Sequence, residues 1–168
     1  NPAPCPDPVA VSDTSGCALL NLYPAVCEAF YQKLPIIVIS ADRPETWIGQ
    51  QDGQTLPQAN VFGTMVNRSV NLPIISNEEQ AWYCERLVHE AVIDCVHRKI
   101  GPVHINIQLS EPLYQFTVDK LPKTHWVDYV KTNLFGGSFH YGDMLEFLNA
   151  RKPMIVVGQD YPCSQLYG

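Results

Sequence analysis

Pro35-Ile36-Ile37-Val38-Ile39-Ser40 is the stretch on which the fold turns. Its four central residues are all β-branched, and no polar position alternates with them. Side chains of this kind are stiff at χ1 and suit a pleated backbone. A strand apolar on both faces needs cover on both faces, which is the situation of a central strand in a parallel sheet flanked by helices. Upstream, Pro8 to Ser12, with Val9-Ala10-Val11 at its heart, reads as a short buried strand running into the polar turn Asp13-Thr14-Ser15-Gly16. The apolar positions Leu19, Leu20, Tyr23, Val26, Cys27 and Phe30 then recur at intervals of three and four, predicting a helix from about Ala18 to Gln32. Pro24 lies in its second turn and should kink it or mark its real start. Strand, glycine turn, helix and strand make one βαβ unit.

Downstream, Ala41 to about Gln58 is irregular, with Pro44, Gly49, Gly53 and Pro57, and short structure around Ala59 to Met65 leads to a strand over Arg68-Ser69-Val70-Asn71-Leu72. Ser76-Asn77-Glu78-Glu79 has the form of a capping box, Ser76 at the cap and Glu79 three residues on. It opens a helix from about Asn77 to His97, with a buried stripe of Cys84, Leu87, Val88, Ala91, Val92 and Cys95. Gly101-Pro102 ends it, and Val103 to Leu109 is a further strand. The order is α/β throughout. From Ser110 the pattern thins into a linker; a short helix from Asp143 to Ala150 and a strand from Met154 to Gly158 read as the start of a second α/β domain, too short to bury a core of its own. The expected divisions are an extended, proline-rich lead-in at 1–8, a main α/β domain at 9–114, a linker at 115–141 and the beginning of a further domain at 142–168. The first residue is Asn and the last apolar run stops abruptly, so the chain is read as a piece of something longer.

The composition bounds the function. At 168 residues the chain is about one domain long. Charged residues make up 17%, below the roughly 25% of soluble domains, so part of the surface is expected to be buried against a partner. A net charge of −6 with no block of Lys or Arg argues against a nucleic-acid surface. No apolar run reaches the roughly 18 residues of a membrane span, and no signal-type start is visible, which implies a cytoplasmic protein. The six cysteines show no Cys-x-x-Cys spacing and read as reduced thiols acting as small core residues.

In open parallel sheets, ligands bind beyond the carboxyl ends of the strands. Three loops leave such ends. Thr14, Ser15 and Gly16 could present backbone amides to an anion or a polar heterocycle edge, or Thr14 or Ser15 could simply cap the helix. Arg43, directly after the central strand, could grip a carboxylate with two prongs, or serve a structural turn or surface ion pair. Gln54 lies in the long irregular stretch, where functional residues are often found. Ser110-Glu111-Pro112-Leu113 reads as the exit into the linker. The five histidines show no metal spacing, and His104, inside a strand, reads as a hydrogen-bonded structural residue. Dinucleotide, phosphate-loop, hydrolase-elbow and calcium-loop patterns are absent.

Taken in order, Thr14 to Ala18, Asn21-Leu22-Tyr23-Pro24-Ala25, Ser40-Ala41-Asp42-Arg43-Pro44, Gly53-Gln54, Gly101 to Asn106 and Glu111-Pro112-Leu113-Tyr114 resemble the 2-succinyl-5-enolpyruvyl-6-hydroxy-3-cyclohexene-1-carboxylate synthases, thiamine-diphosphate enzymes of menaquinone biosynthesis. The likeness covers about residues 8–114 well and the tail loosely. It implies the later part of a pyrimidine-binding α/β domain and the beginning of a middle domain. The whole enzyme would use thiamine diphosphate with Mg2+ or Mn2+ to decarboxylate 2-oxoglutarate and add the succinyl carbanion equivalent to isochorismate, working as a homo-oligomer. Thr14, Ser15 and Gly16 would line the pyrimidine side of the cofactor. Arg43 and Gln54 would bind substrate, with Gly53 standing where similar enzymes often have Asn. The family's catalytic Glu falls upstream of the first strand and its Gly-Asp-Gly metal segment in a third domain, so no catalytic or metal residue is assigned here. The chain alone is expected to be inactive and to bind the cofactor weakly or not at all. A related enzyme such as acetolactate synthase, and a non-catalytic α/β binding or assembly module, are the alternatives.

Overall fold

The computed structural model describes residues 7–97 and 99–111, together with 113, 119–121, 123–125, 145, 148–152 and 154. The chain divides into two compact units, Asn1–Val127 and Asp128–Gly168. In the second, residues 145, 148 and 149 are helical. The expected strand from Met154, most of the 115–141 linker, most of the 1–8 lead-in, and Cys5 and Cys163 lie outside the described residues.

The first unit holds strands β1 (Val9–Asp13), β2 (Ile36–Asp42), β3 (Arg68–Leu72) and β4 (Val103–Gln108), and helices α1 (Cys17–Leu20), α2 (Tyr23–Gln32) and α3 (Glu78–Val96). Short 3-10 turns occupy Glu45–Trp47 and Gly63–Met65. The sheet runs β1-β2-β4-β3 with every pair parallel. β2 is therefore internal, as its run of β-branched residues requires. β1 pairs only with β2 among the described residues, and Val9 at its start is 59% exposed, so the strand expected to be buried lies at an edge.

The two faces of the sheet differ in chemistry. Side chains alternate along each strand. Val70, Leu72, Val103 and Ile105 point to the side covered by α3, where they pack with Cys84, Ala91 and Cys95. Val38 points to the other side and packs with Leu19, Val26, Phe62 and Val66. On that same side the strands carry His104, level with Val38, and then Ser40, Asp42 and Asn106, all buried.

Three local expectations shift. The predicted helix from Ala18 to Gln32 is two helices, because Pro24 falls in the first turn of α2, where a missing N–H costs no helical bond. The cap of α3 is Asn77, whose side chain accepts from the Gln80 N–H at 2.8 Å; Ser76 instead donates through its N–H and hydroxyl to the Gln80 side chain. Val92 is exposed, and Val96 packs against the core in its place. Of the described cysteines, Cys84 and Cys95 are buried outside any disulfide, as expected, whereas Cys17 is exposed. Burial pushes the Cys84 thiol up from its ordinary pKa.

Candidate functional site

One side of the sheet carries a polar cluster that reaches the carboxyl end of β2. Ser40 and Asp42 come from β2 and His104 and Asn106 from β4, all four buried, while β3 adds the half-buried Ser69 and the exposed Asn71; the registers Ser40 with Asn106, Ser69 with His104 and Asn71 with Asn106 place them side by side. Ser40 donates its hydroxyl proton to Asn106 Oδ1 at 2.6 Å. A hydroxyl has one proton, so Ser40 Oγ must accept from His104 Nε2 at 2.8 Å, which leaves Nδ1 to accept from Ser69 Oγ at 3.2 Å. The hydrogen-bond pattern thus assigns His104 as a neutral imidazole protonated on Nε2. Burial agrees: it pushes His104 down to about 4, since no charge can be hydrated there. Phe62 stands edge-on to the imidazole, ring centres 5.0 Å apart. Asn106 Nδ2 spends its two protons on Asp42 Oδ2 and Asn71 Oδ1, both at 2.7 Å.

Gln58, fully buried, ties this cluster to the loops above it. Its Nε2 donates to the Ala41 carbonyl at 2.9 Å and to Asn106 Oδ1 at 3.1 Å. Its Oε1 accepts the Gly16 N–H at 2.7 Å. The Thr14–Gly16 turn is therefore held from below by a side chain far away in sequence. Gly16 has φ +86 and caps α1 without a side-chain cap bond; neither Thr14 nor Ser15 fills that role. A Cβ at position 16 would lie 3.1 Å from Gln54 Cα and 3.2 Å from its carbonyl oxygen, so only glycine lets these two backbones meet. The structure thus brings Gln54 against the Thr14–Gly16 turn. Its side chain is exposed and its φ is +58.

Arg43 follows β2 directly. Its own N–H donates to Asp42 Oδ1 at 2.8 Å, which fixes the turn, and Leu109 N–H donates to the Asp42 carbonyl at 3.0 Å, which holds the ends of β2 and β4 together. Its guanidinium lines a cavity of about 390 Å³ with Pro44, Trp47, Asp52, Leu109, Ser110 and Glu111. The exit segment after β4 thereby joins Arg43, while Gln54 does not line this cavity. The nearest anion is Glu111, with Oε1 3.8 Å from Arg43 Nη1 and a side chain 80% exposed. Arg43 Nε is buried and has no hydrogen-bond partner among the described residues. With Glu111 no closer than 3.8 Å, the Nη groups have donors to spare for a second carboxylate.

Sequence reasoning singled out the turn, Arg43 and Gln54, and read His104 as a hydrogen-bonded residue of a strand, as it is; it did not single out Gln58 or the polar residues around His104. The signal was present only as polar residues at every second position in three strands: Ser40 and Asp42, Ser69 and Asn71, His104 and Asn106.

Comparisons with known proteins bear on this geometry. No protein-family model matches the chain. Among curated proteins it is similar to the 2-succinyl-5-enolpyruvyl-6-hydroxy-3-cyclohexene-1-carboxylate synthase of Bacteroides thetaiotaomicron, 56% identical over 154 residues, which is 90% of this chain and 27% of that protein. The protein of the same description from Phocaeicola vulgatus is 55% identical over 156 residues, and that from Porphyromonas gingivalis 36% over 148. The chain spans about a quarter of the length of the curated relatives it matches. Over that shared quarter it belongs to the family of the 2-succinyl-5-enolpyruvyl-6-hydroxy-3-cyclohexene-1-carboxylate synthases.

Proposed function

We propose that this chain is the substrate-facing part of such a synthase, which as a whole decarboxylates 2-oxoglutarate and joins the succinyl unit to isochorismate. Residues 9–114 are then part of a pyrimidine-binding domain and 142–168 the beginning of a middle domain. Bound thiamine diphosphate supplies the electron sink for decarboxylation. The residues of this chain supply position and charge. Arg43 holds a carboxylate of isochorismate, and Gln54 hydrogen-bonds substrate or intermediate. Thr14, Ser15 and Gly16 line the pyrimidine side of the cofactor.

The turn fits a heterocycle edge better than a diphosphate. Its Thr14 N–H is engaged by Asp13 Oδ1 at 2.7 Å and its Gly16 N–H by Gln58, so neither is left for an anion. Among the described residues no group of three or more His, Cys, Asp or Glu could hold a metal ion, and neither Mg2+ nor Mn2+ is assigned to this chain. Assembly with a second copy is supported by Ile39 and Ala41 of β2, which stay partly exposed on an apolar side of the sheet. No helix among the described residues is long and apolar enough to cross a membrane, which suits a cytoplasmic enzyme.

Arg43 carries the reading: a half-buried guanidinium at a cavity, whose Nη1 stays 3.8 Å from the exposed Glu111. Arg43→Gln in a complete synthase containing this segment should raise KM for isochorismate by about a hundredfold, the usual loss when one partner of a charged hydrogen-bonded pair is removed. Arg43→Lys should recover only part of it, because an ammonium cannot reproduce the two-pronged fork. An unchanged KM in Arg43→Gln would remove the assignment.

A further inference from the structure

We propose that Gln58 is a positioning residue for the proposed site, one amide that locks the Thr14–Gly16 turn, the Gln54 backbone and the Arg43 loop into a single arrangement. The inference rests on the functional reading above for the purpose of that arrangement, and on the geometry alone for its existence. Three bonds converge on the side chain, and each comes from a different part of the chain. Oε1 takes the N–H of Gly16 at 2.7 Å, across 42 residues of sequence. One Nε2 bond goes to the Ala41 carbonyl at 2.9 Å, two residues before Arg43. The other goes to Asn106 Oδ1 at 3.1 Å, on the neighbouring strand. The donors and acceptors of the amide are thereby matched to three fixed partners, and Gln58 is 0% exposed, so no water substitutes for any of them. Gly16 in turn lies against the backbone of Gln54, so fixing Gly16 fixes Gln54 as well. Gln58 itself is closed to solvent and does not line the cavity at Arg43. It acts through the residues it holds.

What matters is the amide's pairing of one acceptor with two donors, not its length. A carboxylate at this position would keep the acceptor for Gly16 and lose both donors. A thioether would keep the length and lose all three bonds. The test therefore compares Gln58→Met with Val70→Ala, a core change on the other side of the sheet that lowers stability without touching the cluster. The first measurement is amide exchange in the 168-residue chain. In Gln58→Met, exchange at Gly16 should rise about tenfold beyond the rise at core amides, the equivalent of one lost hydrogen bond, whereas in Val70→Ala the two rise together. If Gly16 follows the core in both variants, the lock does not exist. The second measurement is made in a synthase from Bacteroides thetaiotaomicron whose matching quarter is replaced by this chain. Gln58→Met should raise KM for isochorismate severalfold, while Val70→Ala leaves it unchanged. A rise at Gly16 without a change in KM overturns the positioning role. A parent chimera with no synthase activity overturns the functional reading instead, and the lock then stands or falls on the exchange result.

Discussion

His104 stands at the centre of the cluster as a base that is never charged in the folded protein near neutral pH. Its pKa is pushed from the ordinary 6.5 down to about 4 by burial. Between these values the unfolded chain takes up a proton that the folded chain refuses. The contribution of His104 to stability is therefore complete above about pH 6.5 and is lost as pH falls towards 4, by an amount on the order of 3 kcal/mol. Glu85 acts below this window: the His125 N–H, 2.6 Å away, holds its carboxyl below 4.5. Thermal midpoints measured from pH 7 to 4.5 should fall in the wild type and fall less steeply in His104→Gln. Parallel curves would mean that the imidazole is not the group that titrates. At this scale the sequence was half legible. Arg43 and Gly16 announce themselves by standing at strand ends. A lone Gln58 in an irregular stretch has no pattern around it, and its partners at Gly16, Ala41 and Asn106 become neighbours only through the strand register.

Among the elements, the start of α3 shows how a local pattern can be right in kind and wrong by one place. Both Ser76-x-x-Glu79 and Asn77-x-x-Gln80 fit the cap rule. The backbone decides for Asn77, which is extended at φ −152 and ψ 170 and caps the Gln80 N–H. Glu78 and Glu79 then fall in the first turn, where negative charge suits the partial positive charge of the helix end. Asn77→Ala should cost about 1 kcal/mol in urea unfolding. Ser76→Ala, which leaves that cap bond in place, should cost clearly less; the reverse order would restore Ser76 as the cap. Pro24 was the more legible signal, because a proline has only one comfortable place in a helix, and α2 begins there.

For the molecule as a whole, fold class followed from a handful of residues, since a run apolar on both faces has few homes other than the inside of a parallel sheet. The exposure of β1 did not follow, because Val9-Ala10-Val11 looks the same in sequence at an edge or at a centre. Whole-protein chemistry also escapes a chain that spans about a quarter of its relatives. The 168-residue chain supplied with thiamine diphosphate and Mg2+ should release no carbon dioxide from 2-oxoglutarate, and titration calorimetry with the cofactor should give no saturable heat. Turnover would mean that Arg43, Gln54 and the Thr14–Gly16 turn belong to a site complete within these 168 residues. The all-parallel pairing has a further consequence, for the path by which the chain folds. Ser40 and Asn106, neighbours at the centre of the sheet, are 66 residues apart. Among the described residues no hairpin offers a cheap first contact, so chain entropy must be surrendered before the middle of the sheet exists, and such topologies fold on the slower, millisecond-to-second side. Until then the run from Ile36 to Ile39 waits uncovered, and dilute, cold refolding is the condition under which it should meet β4 before it meets another copy of itself.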